Sequence, residues 1–489
     1  MHLRMRPSES KVMEEPRPNP DLTSIAGQRV TVMGLGGFGG GAAAVRFLAE
    51  QGAVVRVSDQ RSGEELGEAI AELNDLSDID WQAGGHHWSH FSDADFVVVN
   101  PAVPPRHPIV KRLESAGIPL TSEMNLFWSL NPGRVVAVTG SNGKSTTTAL
   151  IHSIIEASGQ RCWLGGNIGR SLLPHIDEIS LEDWVVLELS SFQLHMLDRI
   201  KAKPDIAVVT NFAPNHLDWH ETLAEYRLAK QTILRWQNDD DWCVLNGDDA
   251  DIAAWPHSAK TTLTYEEPPD AVVPKHEAVQ AWLDDSGTAH ILRRNQQADI
   301  LEFPIADWCT LRGRHNLTNA LQSMSAAQLA GATEDAIRDG LGQFEALPHR
   351  LQLVGEFNGR RFYNDSISTT PESTIAALES FDEPVVILAG GYDKEVDLSR
   401  LASHIAKQAK AASLLGQTAN TLQTGITKNN TELPMATCTD FGRAFAWAID
   451  QSSPGDVILL SPGCASYDWF QSFVDRGEQF CRLVEELQR

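Results

Sequence analysis

No two cysteines of this chain lie close together. The six (Cys162, Cys243, Cys309, Cys438, Cys464 and Cys481) are scattered over 489 residues. That spacing argues against a disulfide framework or a zinc site and fits reduced thiols in a cytoplasmic protein. Positive charge is scarce too: 40 Lys and Arg stand against 65 Asp and Glu, a formal net charge of −25. A surface of that sign disfavours nucleic acid and anionic lipid. Any bound phosphate must be held by local cations, backbone amides or metal. No apolar run reaches the length of a membrane span, and no internal repeat or coiled-coil pattern is present. Met1 to about Asp21 is rich in Pro, Arg and Glu and has no apolar stretch. We expect 1–24 to be a disordered tail and not a signal peptide.

The length is too great for one core, and three domains is the natural expectation. Three segments alternate strand and helix patterns. The expected class is α/β, with a Rossmann-like N-terminal domain (25–131), a central P-loop ATPase-like parallel sheet (132–346) and a Rossmann-like C-terminal domain (347–489). In the first, the strand Arg29–Leu35 feeds Gly36-Gly37-Phe38-Gly39-Gly40-Gly41 and the helical run Ala42–Gln51, and a second strand ends at Asp59. This is a dinucleotide-type βαβ pattern, although the Gly-rich turn alone is a weak signal. A further strand closes at Asn100, before the rigid loop Pro101–Pro105. In the second, the near-continuous apolar runs suit a parallel sheet covered on both faces. The rhythm breaks over Glu266–Ile305, where Thr288–Arg293 reads as part of a hairpin insertion. The chain finishes in a long helical pattern, about Tyr467 to Leu487.

The strongest motif is Thr139-Gly140-Ser141-Asn142-Gly143-Lys144-Ser145-Thr146, placed between the strand Val135–Val138 and a helical pattern. Glycines let backbone N–H groups fold around phosphate oxygens. Lys144 reaches the outer phosphates, the Ser145 hydroxyl can hold Mg²⁺, and the helix N-terminus adds positive potential. Only Ser141 and Asn142 separate Gly140 from Gly143, where the common motif has four residues. The motif therefore indicates a nucleoside triphosphate, held by an unusual loop.

Other candidates have two readings each. Glu188 closes a buried strand and is either an Mg²⁺ ligand or a satisfied strand-end carboxylate. His216 follows another strand of the same sheet, as a ligand or an ordinary loop histidine. Lys230, in Tyr226-Arg227-Leu228-Ala229-Lys230, reads from the residues alone as a solvated helix lysine. Asn316 and Asn319 share a helix face and can bind a planar edge such as adenine, or cap the helix. Asp365 can accept from ribose hydroxyls or serve a turn, and Lys394 can anchor a carboxylate or be a loop lysine.

Taken together, these pieces resemble the Mur ligases of peptidoglycan synthesis. The resemblance runs from Gly34 to the last helix. It rests on the phosphate loop, Gly165-Gly166-Asn167-Ile168-Gly169, Glu188-Leu189-Ser190-Ser191-Phe192-Gln193, His315-Asn316 with Asn319, Leu347-Pro348-His349-Arg350, Asn364-Asp365-Ser366 and Leu460-Ser461-Pro462-Gly463-Cys464-Ala465-Ser466. The last two, with Ser-Ser-Phe-Gln, point to the glutamate-adding branch. The resemblance implies a cytoplasmic ATP-dependent ligase, a monomer that adds glutamate, the D isomer, to UDP-N-acetylmuramoyl-L-alanine through an acyl phosphate. By the same resemblance, the uridine nucleotide meets Gly36, Asp59 and Asn100. ATP lies between the second and third domains, on Gly140, Asn142, Gly143, Lys144, Ser145, Thr146, Asn319, Arg350 and Asp365. Mg²⁺ falls to Ser145 and Glu188, with His216 and Lys230 at a second ion. Lys230 matches a lysine carbamylated by CO₂. Asn167 positions the substrate, and Thr369, Lys394, Ser466 and Phe473 match the glutamate pocket.

Two departures stand out. Ile367 follows Asn-Asp-Ser where the family usually has lysine, and Phe38 stands where a hydroxyl residue is common. The first raises L-glutamate as an alternative substrate. A sibling amide ligase of folylpolyglutamate type fits the Leu460–Ser466 stretch poorly. A P-loop kinase does not account for the first and third domains. A nucleotide-binding protein without catalysis predicts damage at Lys144, Glu188 or His216, and all three are intact.

Overall fold

The computed structural model describes residues 19–36, 39–269, 279–294 and 298–487. Phe38 and residues 1–18 of the expected tail lie outside them. Three sheets carry the fold. The first holds β1 (Arg29–Met33), β2 (Val54–Ser58), β3 (Asp80–Gln82), β4 (Phe96–Val99) and β5 (Leu120–Thr121), ordered β3-β2-β1-β4-β5 and parallel throughout. The second holds β6 (Arg134–Thr139), β7 (Cys162–Gly166), β8 (Trp184–Glu188), β9 (Ile206–Val209), β10 (Trp242–Asn246), β11 (Lys260–Tyr265), β12 (Val279–Leu283), β13 (Ala289–Arg294) and β14 (Ala298–Phe303). Its order is β14-β13-β12-β11-β10-β9-β6-β8-β7. The third holds β15 (Gln352–Phe357), β16 (Arg360–Asn364), β17 (Val385–Gly390), β18 (Ala409–Leu415), β19 (Met435–Thr437) and β20 (Val457–Leu460), ordered β15-β16-β20-β17-β18-β19.

The helices that matter for the site are α1 (Gly40–Glu50), α2 (Lys144–Ala157), α3 (Leu223–Arg235), α4 (Arg314–Leu329) and α5 (Phe473–Leu487). The inner strands are buried on both faces. In β8, β9 and β17 every residue is buried, as parallel strands between helix layers require. The break in rhythm after Glu266 is an antiparallel extension: β12 pairs with β13 and β13 with β14, which is the expected hairpin.

The terminal helix starts at Phe473, later than the periodicity suggests. Residues 467–472 form turns, in which Asp468 Oδ2 accepts from Gln417 N at 3.0 Å and Ser472 Oγ accepts from Asp475 N at 3.2 Å. Ser472 thus supplies the acceptor that the first turn needs.

The chain divides into two compact units. One comprises 1–148, 160–244 and 250–261; the other comprises 149–159, 245–249 and 262–489.

Candidate active site

In the first unit, β6 lies between β8 and β9, all three parallel, so their carboxyl ends form one edge at a point where the strand order reverses. Open α/β sheets bind ligands at such edges. From β6 comes the phosphate loop, from β8 Glu188, and from β9 the stretch Thr210–His216.

The loop is fixed by side chains from the β9 end. Asn211 Oδ1 accepts from Asn142 N at 2.8 Å, while Asn211 Nδ2 and Thr210 Oγ1 donate to Asn142 O at 3.0 and 2.6 Å. Ser141 Oγ donates to Ala213 O at 2.9 Å and lies 3.1 Å from Tyr226 Oη. Gly140 has φ +157°, and a β-carbon there would sit 1.8 Å from Thr210 Oγ1. That contact, more than the dihedral, demands glycine. Lys144 Nζ donates to Gly140 O and Ser141 O, both at 3.0 Å, so the ammonium stands over the loop.

Lys230 is not a solvated lysine. It is 1 % exposed, and Nζ donates to Gly140 O at 2.7 Å and Thr139 Oγ1 at 3.3 Å, 4.9 Å from the Tyr226 ring centroid. Burial pushes its amine well below the ordinary lysine range. Lys144 acts in the same direction, and Glu188 opposes both. One residue missed by sequence reasoning is Tyr226. One helical turn before Lys230, it shares that face of α3, and burial pushes its phenol up to about 12.

Glu188 is 2 % exposed. Its Oε1 accepts from Asn167 Nδ2 at 2.8 Å, and Oε2 is buried with no hydrogen-bond partner, as is Thr146 Oγ1. A buried oxygen left without a partner calls for an explanation, and a cation is a fitting one. Among the described residues no group of three His, Cys, Asp or Glu forms a ready metal cage. Mg²⁺ takes one or two protein ligands and completes its shell with water and phosphate, a role that the unpartnered Glu188 oxygen fits. Asn167 is also pinned through its backbone, N to Glu188 O at 2.8 Å. His216 is exposed, has φ +53°, and lies edge-on to Phe192 at 5.0 Å.

Asp59, at the end of β2, already has partners. It accepts from Leu35 N at 2.9 Å and from Arg61 N at 2.9 Å, and it pairs with the Arg61 guanidinium at 3.1 Å. Arg61 in turn donates to Gly36 O at 3.2 Å. Asp59 and Arg61 therefore fix the chain at Leu35 and Gly36, where the Gly-rich turn begins. Asn100 packs beneath it, its Nδ2 2.5 Å from where a β-carbon on Gly36 would be. Glu123, unanticipated from the sequence, accepts from Ser171 Oγ, and burial pushes its carboxyl up to about 7.

In the second unit, β16, β20 and β17 are adjacent and parallel, and their carboxyl ends bring together Asp365, the 461–466 loop with Ser466, and the 391–394 loop with Lys394. Asp365 is buried, which pushes its carboxyl up to about 6 despite a 2.7 Å bond from Ser461 Oγ and a 3.1 Å bond from Leu351 N. Arg350, which also favours the carboxylate, has a buried Nε without a partner. On α4, Asn319 Nδ2 donates to Asn316 Oδ1 at 3.2 Å, which confirms their common face.

Arg476, on α5, carried no sequence signal. It is 1 % exposed and donates to Ser366 Oγ, Ser366 O and Cys464 O at 3.0, 2.8 and 3.1 Å. Ser366 Oγ donates to Phe473 O at 2.7 Å. One buried guanidinium thus ties the Asp365–Thr369 loop, the Ser461–Ser466 loop and the start of α5, where Phe473 stands. The half-buried Ile367 bonds through its backbone N to His349 O at 3.1 Å.

Comparison with known proteins matches these regions to three family descriptions: Mur ligase MurD-like, N-terminal domain, over 28–122; Mur ligase middle domain over 138–327; and Mur ligase, glutamate ligase domain, over 349–464. Proteins described as UDP-N-acetylmuramoylalanine–D-glutamate ligase are similar along almost the whole chain. The one from Geobacillus kaustophilus is 39 % identical over 465 residues, covering 94 % of this chain and 98 % of that protein. The one from Roseiflexus sp. is 38 % identical over 471 residues, covering 95 % and 99 %. Among solved structures, UDP-N-acetylmuramate-alanine ligase MurC from Thermotoga maritima shares the fold at a TM-score of 0.59 and 17 % identity, covering 94 % of this chain and 99 % of that one. MurF ligase from Thermotoga maritima in complex with ADP does so at 0.56 and 18 %, covering 96 % and 98 %.

Proposed function

The chain belongs to the Mur ligase family, and from that premise we propose that it is the ATP-dependent ligase that joins D-glutamate to UDP-N-acetylmuramoyl-L-alanine in peptidoglycan synthesis. The observation that carries this reading is a pair of lysines on the phosphate loop, the half-buried Lys144 and the buried Lys230, beside a buried carboxylate with an unpartnered oxygen.

A carboxylate is a poor electrophile, and bringing it to a triphosphate sets two anions together. The γ-phosphoryl group passes to the substrate carboxylate, the glutamate amine attacks the acyl phosphate, and phosphate leaves the tetrahedral intermediate. Lys144 and the loop amides neutralise the charge that develops on the phosphate oxygens. Asn167, held through backbone and side chain, presents a rigid amide to the substrate. Mg²⁺, when bound by Ser145 and Glu188, supplies further charge neutralisation. His216 and Lys230 serve a second ion. Burial favours the neutral Lys230 amine, the form that adds CO₂ with release of one proton, and the resulting carbamate is an anion able to ligand or orient Mg²⁺. Asn319, Arg350 and Asp365 contact ATP; Gly36, Asp59 and Asn100 shape the uridine nucleotide subsite; Thr369, Lys394, Ser466 and Phe473 hold glutamate. The domain limits 25–131, 132–346 and 347–489 assign one substrate chiefly to each. Six cysteines without a disulfide suit the cytoplasm, and no helix among the described residues is long and apolar enough to cross a membrane.

The test is phosphate release from ATP and Mg²⁺ with UDP-N-acetylmuramoyl-L-alanine and either isomer of glutamate. We expect release that depends on the D isomer. Release with neither isomer overturns the reading. Ile367 in place of the usual lysine removes a cation from the amino-acid side and favours one second reading, ligation of L-glutamate, which release with that isomer alone establishes.

Asp365 gives a pH test. Its carboxyl is protonated below about 6 and an acceptor above it. Losing a charged acceptor costs about ten-fold in affinity, so the KM for ATP is expected to rise by that order as pH falls from about 7 to about 5. Asp365→Asn should show the weak affinity at both ends, with a flat profile.

A further inference from the structure

Two tyrosines on the second unit are neither core nor assigned. Tyr467 is 65 % exposed and Tyr392 38 % exposed, and their rings meet edge to face at 6.2 Å. Large apolar rings left in water on adjacent loops mark a contact surface. The loops are fastened to each other, because Tyr392 N donates to Ala465 O at 2.9 Å, across an isolated antiparallel bridge. Gly391 permits that approach: a β-carbon on it would lie 2.3 Å from Ala465 O. Tyr467 directly follows Ser466, and Tyr392 is two residues before Lys394. The Lys394 ammonium is 5.9 Å from the Tyr467 ring centroid, within cation–π range.

We propose that Tyr467, braced by Tyr392, is a positioning residue for the amino-acid substrate: its ring holds the exposed Lys394 ammonium at the carboxyl edge of β17 and β20, where it meets a glutamate carboxylate. A lysine has four rotatable bonds, and fixing its ammonium before glutamate binds removes part of the ordering cost from binding. The need is sharper here than with a second lysine nearby, since Ile367 contributes no charge. The inference rests on the reading of Lys394 as a glutamate anchor.

The experiment is steady-state kinetics of the full chain. Tyr467→Leu is expected to raise the glutamate KM about five-fold, the order of one exposed cation–π contact. Its kcat and the KM values for ATP and the uridine substrate should stay at wild type, and Tyr467→Phe, which keeps the ring, should behave as wild type. Lys394→Ala should raise the glutamate KM further, and Tyr467→Leu added to it should have no additional effect. An unchanged glutamate KM in Tyr467→Leu, with a raised one in Lys394→Ala, overturns the proposal and leaves the anchor standing. An unchanged value in Lys394→Ala overturns the anchor itself. Equal effects of Tyr467→Leu in both backgrounds show that the ring acts without Lys394, which also overturns the proposal. Because Tyr467 is so exposed, its loss does not threaten the fold.

Discussion

Lys230→Ala loses phosphate release by about 10³-fold, and millimolar formate or acetate restores a measurable fraction. The size follows from removing a preorganised charged group in a water-poor site. The rescue follows from chemistry at one position. Lys230 is buried beside Gly140 O and above the Tyr226 ring. Truncation leaves room there for a small carboxylate that stands in for the carbamate. Two controls separate chemistry from folding. Lys230→Met keeps the volume and should unfold no earlier than wild type, because it removes a buried amine held against its ordinary protonation; it should be as inactive as the alanine variant and gain little from acetate. Lys230→Arg places a cation there with no amine to carbamylate, and should also be inactive. Wild-type turnover in Lys230→Ala removes the modification from the mechanism.

Glu188→Gln is expected to have the next largest effect, a fall of about 10²-fold in turnover at moderate Mg²⁺ that higher Mg²⁺ partly recovers. The substitution is nearly isosteric, and the glutamine oxygen still accepts from Asn167 Nδ2, so the strand end keeps its shape. What it loses is the second anionic oxygen, the one with no partner in the protein. The measurement is a titration of rate against Mg²⁺: the half-saturating concentration should rise by about ten- to a hundred-fold. A rate that falls with no change in the Mg²⁺ dependence would mean that Glu188 acts only by orienting Asn167.

The contrast between these two residues shows what sequence and tertiary structure each contribute. Glu188 was legible because its signal is local: an apolar β-branched run ends in one carboxylate, and a strand end in a P-loop sheet is a place for a ligand. Lys230 was not. Along α3 it alternates with polar residues as any solvated lysine does, and only the resemblance to a family gave it a role. Its burial depends on how that helix packs over β6 and the phosphate loop, contacts ninety residues away in sequence. Arg476 is the same case in the third sheet, since its partners Ser366 and Cys464 lie on loops from different strands.

The phosphate loop, the three α/β segments and the likeness to a family are written in short-range order: period, glycine spacing and strand-end residues. These persist in any window of ten or twenty residues. The sequence by itself therefore determined that the chain folds as mostly parallel sheets and handles a nucleoside triphosphate. The tertiary structure decided which side chains lose water. Dehydration is a property of the whole packing: it weakens the hold of the Lys230 amine on its proton and leaves one oxygen of Glu188 without a partner, and the same packing sets Asp59 against Leu35 N.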